Sequence, residues 1–214
     1  MTGSPVGIKA AIFDFDGTIA DSFPVFVHAV AYVLKRKPFD PEEVEDLRQY
    51  SALEVVKVLK VKKWRLPWLA LNLTREIDRH QDDITIFKDM SAVIEQLHEE
   101  GYKLYIVSSH SRKGIRLFLK RYDLSHYFDY TYSKVGLFGK PRALKKLQAK
   151  FDYRSDECVF VGDEVRDIEA AKKVNMRCIS VTWGFNPAAS LKKHLPTAVI
   201  DKPYELPKAL KSLV

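Results

Sequence analysis

Cysteine is scarce in this chain: two in 214 residues, Cys158 and Cys178. Each lies inside an apolar, strand-like run and neither belongs to a C-x-x-C pair, so buried reduced thiols are expected. No apolar run approaches the roughly 20 residues that a membrane helix needs, and no membrane partner is expected. The start of the chain carries no signal-peptide pattern, because its short apolar stretch meets charge at Asp14. These absences point to a cytoplasmic protein. Internal repeats and low-complexity segments are also missing. What remains is an ordinary globular composition, 46% hydrophobic with 12 Phe and 10 Tyr, which can build a sizeable core and argues against disorder. The formal net charge of +7 suits first a soluble surface, and its sharper reading is an anionic substrate or surface.

Short β-type runs alternate with helical patterns. The runs are "IKAAIF" (8–13), "YKLYIVSS" (102–109), "YFDYTYS" (127–133), "ECVFVGD" (157–163), "RCISVTW" (177–183) and "TAVID" (197–201). The segments 89–99, "SRKGIRLFLKRY", "KPRALKKLQAKF" and "EVRDIEAAKKV" space their apolar residues at three to four. Alternation of this kind predicts an α/β fold: a doubly wound, mostly parallel, Rossmann-like sheet covered on both faces. From Ser22 to about Gln81 the strands stop and four helical patterns follow: "SFPVFVHAVAYVLKR", "DPEEVEDLR", "ALEVVKVLK" and "LPWLALNLTREIDRH". A small all-α cap over residues 20–84 is therefore expected. It would interrupt a core of 1–19 and 85–214, with linkers near 19–22 and 82–88.

The strong strands end in polar residues. "IFDFDGTIAD" places Asp14 and Asp16 at i and i+2, on one face of an extended chain, before Gly17 lets the backbone turn away. "YIVSS" ends at Ser108 and Ser109, just ahead of a helix start, where hydroxyl and free N–H groups suit an anion. Lys140 and Pro141 open the "KPRALKKL" helix, and "VGDEVRD" supplies Asp163, Glu164 and Asp167. Ligands of such sheets bind at the carboxyl ends of the strands. Four or five carboxylates there would repel one another, and a hard divalent cation, Mg²⁺, would relieve that. A hydroxyl, backbone donors and one lysine are then left to hold a phosphoryl group.

Taken in order, "DFDGT", "IVSS", "GKP" and "VGDEVRD" resemble the four motifs of the haloacid dehalogenase-like hydrolase superfamily, over about residues 8–185. The insertion after the first motif is similar to the cap of its phosphoglycolate phosphatase and β-phosphoglucomutase branch. The resemblance implies a Mg²⁺-dependent phosphatase acting on a small phosphorylated metabolite through an aspartyl-phosphate. Asp14 would be the nucleophile. Asp16 would be the acid and base, with Thr18 helping to orient it. Lys140 would balance charge, and Thr18, Ser108, Ser109 and Lys140 would hold the substrate. The metal would fall to Asp14, Asp16 (through its carbonyl), Asp163 and Asp167, with Glu164 able to substitute in part. Dehalogenases of the superfamily lack the second acid, because a halide leaves without a proton; Asp16 therefore argues for phosphoryl transfer.

A sugar phosphomutase would keep the same residues and stays open as an alternative. A signalling receiver domain uses similar parts, but its acid pair comes first, its phospho-acceptor later, and it lacks a large insertion. A nucleic-acid or anionic-lipid binder would rest on "KVKKWR" alone, so no nucleic-acid partner is expected. His110, Arg112 and Arg142 lie near the expected phosphate turns without an assigned role, and Trp64 and Trp68 suit core packing or a surface patch. A monomer or a homodimer would serve.

Overall fold

The structure is a computed structural model and describes residues 7–47, 50, 52–133, 135–136 and 139–213. Arg48, at the end of the expected "DPEEVEDLR" helix, and Phe138, which opens "FGKPRAL", lie outside the described residues. All six expected strands form, each shorter than its apolar run: β1 (Ala10–Phe13), β4 (Lys103–Val107), β5 (Phe128–Tyr132), β6 (Cys158–Gly162), β7 (Arg177–Val181) and β8 (Ala198–Ile200). They form one parallel sheet in the order β5-β4-β1-β6-β7-β8. The chain winds outward one way from β1, returns, and winds the other way from β6. The winding reverses between β1 and β6, where a doubly wound sheet leaves a crevice beyond its strand ends.

Both faces are covered, which explains why the strands are apolar without interruption. On one face Ala11, Phe13, Ile106, Val161 and Ile179 pack under α5 (Met90–Glu99), α6 (Arg112–Arg121) and α10 (Leu206–Lys211). On the other, Ile12, Tyr105, Phe160 and Cys178 pack under α7 (Lys140–Phe151), α8 (Val165–Lys172) and α9 (Ala188–Lys193). Cys158 and Cys178 are free and buried, and burial pushes each thiol up to about 12, which keeps both unreactive.

The helical block contains α1 (Phe23–Val33), α2 (Pro41–Leu47), α3 (Ala52–Val58) and α4 (Leu66–Arg79). α2 starts with a reciprocal cap: the Glu43 N–H donates to Asp40 at 2.8 Å and the Asp40 N–H donates to Glu43 at 3.0 Å. The block has its own apolar centre around Phe23, Val30, Val55 and Leu69, joined by Phe185 from the sheet domain. Where the sequence suggested plain linkers, the two crossing segments pair with each other. β2 (Ala20–Asp21) and β3 (Thr85–Ile86) form a two-stranded antiparallel ribbon, preceded by a 3₁₀ turn at Gln81–Asp83.

Ile106 is fully buried in β4 beside β1. Ile106→Ala is expected to cost about 2–5 kcal/mol. Chemical unfolding should show a lower midpoint at unchanged slope; an unchanged midpoint would show that this face of the sheet is not packed as described.

Candidate active site

The carboxyl ends of β1 and β6 lie side by side, and the polar residues after them meet there. The Asp14 N–H donates to the Val161 carbonyl at 2.8 Å, so the sheet continues one residue past β1 and fixes Asp14 in place. Gly17 then turns the chain at φ +74°, and a Cβ on it would lie 2.1 Å from Asp163 Oδ2. The turn therefore needs glycine for both its conformation and its close approach.

Lys140, the first residue of α7, is buried, and its ammonium donates to both Asp14 and Asp167. Asp14 accepts on its other oxygen from the Phe15 N–H at 2.7 Å. Asp167, on the first turn of α8, also accepts from the Glu164 N–H at 3.1 Å. Asp163 accepts from the Thr18 hydroxyl at 2.7 Å and from the Phe185 N–H at 2.8 Å. Oxygens of Asp14, Asp163 and Asp167 all lie within 4.8 Å of one another. Glu164 turns aside to the Arg166 guanidinium.

The electrostatics follow from this crowding. Burial raises Asp14 above the usual carboxylate range although Lys140 pulls the other way. Burial raises Asp163 much further, aided by the charges of Glu164, Asp14 and Asp167. Burial alone would lower Lys140, but Asp14 and Asp167 hold it above its ordinary value, firmly cationic. Three close carboxylates thus share one ammonium in a water-poor pocket. That deficit of positive charge, with oxygen donors alone, fits a hard divalent cation.

Asp16 goes elsewhere. Its carboxylate lies outside the acidic cluster and accepts from His110 Nδ1 at 3.0 and 3.1 Å. His110 is buried and reaches on through Nε2 to Gln81 Oε1 at 2.8 Å. Burial opposes both charges, yet the pair prevails: His110 lowers Asp16 and Asp16 raises His110. Thr18, expected beside Asp16, gives its hydroxyl to Asp163 instead. The two acids at i and i+2 therefore diverge, because the chain leaves the sheet after Asp14 and turns at Gly17.

Ser108 is buried directly after β4, and its hydroxyl oxygen accepts from the His110 N–H at 3.1 Å. Ser109 is exposed on the wall of a cavity of about 1030 Å³ between α4 and α6. Among the described residues, Arg112, Lys113, Arg116 and Arg166 line this cavity, against one acid, Asp78. Arg142 is exposed away from it, and Trp64 and Trp68 are exposed on the helical block. Sequence reasoning passed over Gln81 and Asp78. Asp78 accepts from the Ser111 hydroxyl at 2.7 Å, a second tie between the helical block and α6. No motif spacing connects either residue to the sheet.

The profile of the family described as "Haloacid dehalogenase-like hydrolase" matches residues 11–181. A phosphoglycolate phosphatase of Synechococcus elongatus is 32% identical over 97% of this chain and 99% of its own. The pyrophosphatase PpaX of Bacillus mycoides is 22% identical over 93% of this chain and 95% of its own. A solved haloacid dehalogenase-like hydrolase from Streptococcus pneumoniae shares the fold with a TM-score of 0.77 at 19% identity, covering 94% of this chain and 98% of its own. The chain belongs to the haloacid dehalogenase-like hydrolase family. Within that family it is a phosphatase hydrolase.

The His110–Gln81 contact depends on Gly114 in the first turn of α6, where a Cβ would lie 2.5 Å from Gln81 Oε1 and 2.6 Å from His110 Nε2. An exposed helical Gly→Ala gains about 0.5–1 kcal/mol. Gly114→Ala is expected to reverse that sign and lose about 1–3 kcal/mol by overpacking. A raised melting temperature would contradict the contact.

Proposed function

We propose that the chain is a Mg²⁺-dependent phosphatase that hydrolyses a small phosphomonoester through an aspartyl-phosphate on Asp14. The observation that carries the reading is Asp14 itself, buried beside the Lys140 ammonium and two further carboxylates at the switch point of the sheet. Asp14 attacks phosphorus, and a carboxylate O–P bond forms as the bond to the leaving oxygen breaks. The proton for that oxygen is the one shared between Asp16 and His110 Nδ1. Asp16 then takes a proton from water as the water oxygen attacks phosphorus. The Asp14–phosphorus bond breaks, inorganic phosphate leaves, and Asp14 is restored.

The other residues hold the phosphoryl group. The Ser108 hydroxyl accepts from His110 and keeps its own proton to donate to a phosphoryl oxygen. Ser109 stands at the cavity wall beside it. Thr18 acts on the metal side, by fixing Asp163. Mg²⁺ would be held by Asp14, Asp163 and the Asp16 carbonyl, with Asp167 alongside, and would supply positive charge for the phosphoryl oxygens. A cavity lined by four cations suits a substrate that carries a second anionic group. Phosphoglycolate, the substrate named for the Synechococcus relative, has both a phosphate and a carboxylate, and is our first candidate. The same proposal places the enzyme in the cytoplasm, as a monomer or homodimer, without a nucleic-acid or membrane partner.

Two outcomes are expected from phosphate-release assays. Asp14→Asn should fall to background, and a chelator should do the same to the wild type; full activity in Asp14→Asn would refute the assignment. A phosphomutase would instead show isomerised substrate without net phosphate. Asp16→Asn should lose about 10²–10⁴-fold on alkyl phosphates. His110→Ala should lose less, and both should lose least on p-nitrophenyl phosphate, whose leaving group needs no proton. Equal losses in kcat/KM on both esters, which reports only the steps up to departure of the leaving group, would remove Asp16 and His110 from protonating it.

A further inference from the structure

The helical block carries a second cluster of potential ligands that the phosphatase chemistry leaves unused. Glu76 and His80 are four residues apart at the end of α4, so they share one side of the helix. His28 comes from α1, which packs along α4. One ligand atom from each of His28, Glu76 and His80 lies within 4.8 Å of the other two. We propose that these three residues form a binding site for a borderline transition-metal ion, Zn²⁺ being the natural occupant, separate from the acidic cluster at Asp14.

Four observations support the proposal. First, the donor set is two imidazoles and one carboxylate, which suits Zn²⁺ in a tetrahedron with one position left for water. Mg²⁺ prefers oxygen throughout, so the two sites differ in kind. Second, His80 is already oriented: its Nδ1 lies 2.9 Å from Asp83 Oδ2. A carboxylate can accept but not donate, so Nδ1 carries a proton and Nε2 is the ring atom turned toward the cluster. A carboxylate behind a ligating histidine is the usual outer support of a zinc site.

Third, that Nε2 faces Glu76 Oε1 at 3.3 Å. An ion bound here would take the place of any proton between these two atoms. Glu76 is buried and its other oxygen is held by Arg79 at 3.0 Å, so Oε1 is the one left for the metal. Fourth, the third ligand can come in. Bonds of about 2.0–2.1 Å put tetrahedral ligands about 3.3 Å apart, so the cluster must tighten. His28 is exposed and already meets the His80 ring edge to face, with centroids 4.8 Å apart, so rotation of His28 supplies the movement. An ion here would tie α1 to the end of α4, immediately before the turn that carries Gln81 to His110.

The test uses the untagged full-length chain in excess Mg²⁺, which occupies the acidic cluster. ZnCl₂ is titrated by calorimetry, and Co²⁺ is added separately as a spectroscopic probe of four-coordinate geometry. One Zn²⁺ equivalent, a tetrahedral Co²⁺ spectrum and a raised melting temperature are expected. His28→Ala and His80→Ala should each weaken binding by at least about 10-fold, and Asp83→Ala by about 10–100-fold. Asp14→Asn should leave this equivalent intact. The exposed His28 keeps the test sound if His80→Ala misfolds by circular dichroism. The proposal is overturned by any of three results: no Zn²⁺ binding, binding unchanged in His28→Ala, or binding lost in Asp14→Asn.

Discussion

A single buried ammonium organises the switch point of the sheet. Taking the charge of Lys140 out of water costs several kcal/mol, and the cost is offset only while Asp14 and Asp167 stay on it. These three residues come from the end of β1, the start of α7 and the start of α8, segments far apart in the chain. Removing one partner would leave an uncompensated buried charge. The ion cluster therefore binds three elements to the switch point of the sheet while holding Asp14 ready. The lysine balances only part of the acid and leaves Asp163 without a cationic side chain among the described contacts, a deficit that fits a divalent cation.

The divergence of Asp14 and Asp16 gives the site two sides. Asp14 faces inward, to fixed charges and the sheet. Asp16 faces outward, to His110 and through it to Gln81 at the foot of the helical block. The proposed phosphoryl transfer would need one carboxylate that attacks and another that trades a proton. Different surroundings, two residues apart, give each acid its own partner. The partner of Asp16 is itself held by the helical block, and the Ser111–Asp78 contact lies next to it, so the surroundings of Asp16 and the position of that block are mechanically joined.

Most of the fold was legible because its strands are buried on both faces and read as unbroken apolar runs. Helix α7 was legible to the residue, since Lys140 and Pro141 open it and its apolar spacing continues to Phe151. Helices α9 and α10, each of six residues, are too short for periodicity to show. The β2–β3 ribbon has two residues per strand and carries no alternation to detect. In the site, Asp14, Lys140, Asp163 and Asp167 announce themselves as polar residues ending apolar runs or opening helices. Gln81, Asp78 and the Thr18–Asp163 contact do not, because they depend on how the insertion returns to the sheet. The divergence of the two aspartates was hidden for a related reason: an i, i+2 rule holds for extended chain, and the ladder ends at Asp14, before Asp16 is reached.

The ribbon has a consequence for chain entropy. By pairing the outgoing segment at Ala20–Asp21 with the returning one at Thr85–Ile86, it holds the two ends of the insertion one strand spacing apart, about 4.8 Å. To the sheet domain, everything between them is a closed loop, and doubling the length of a flexible loop costs only about 0.6 kcal/mol. The helical insertion can therefore grow, shrink or be exchanged at little thermodynamic cost to the sheet that carries Asp14.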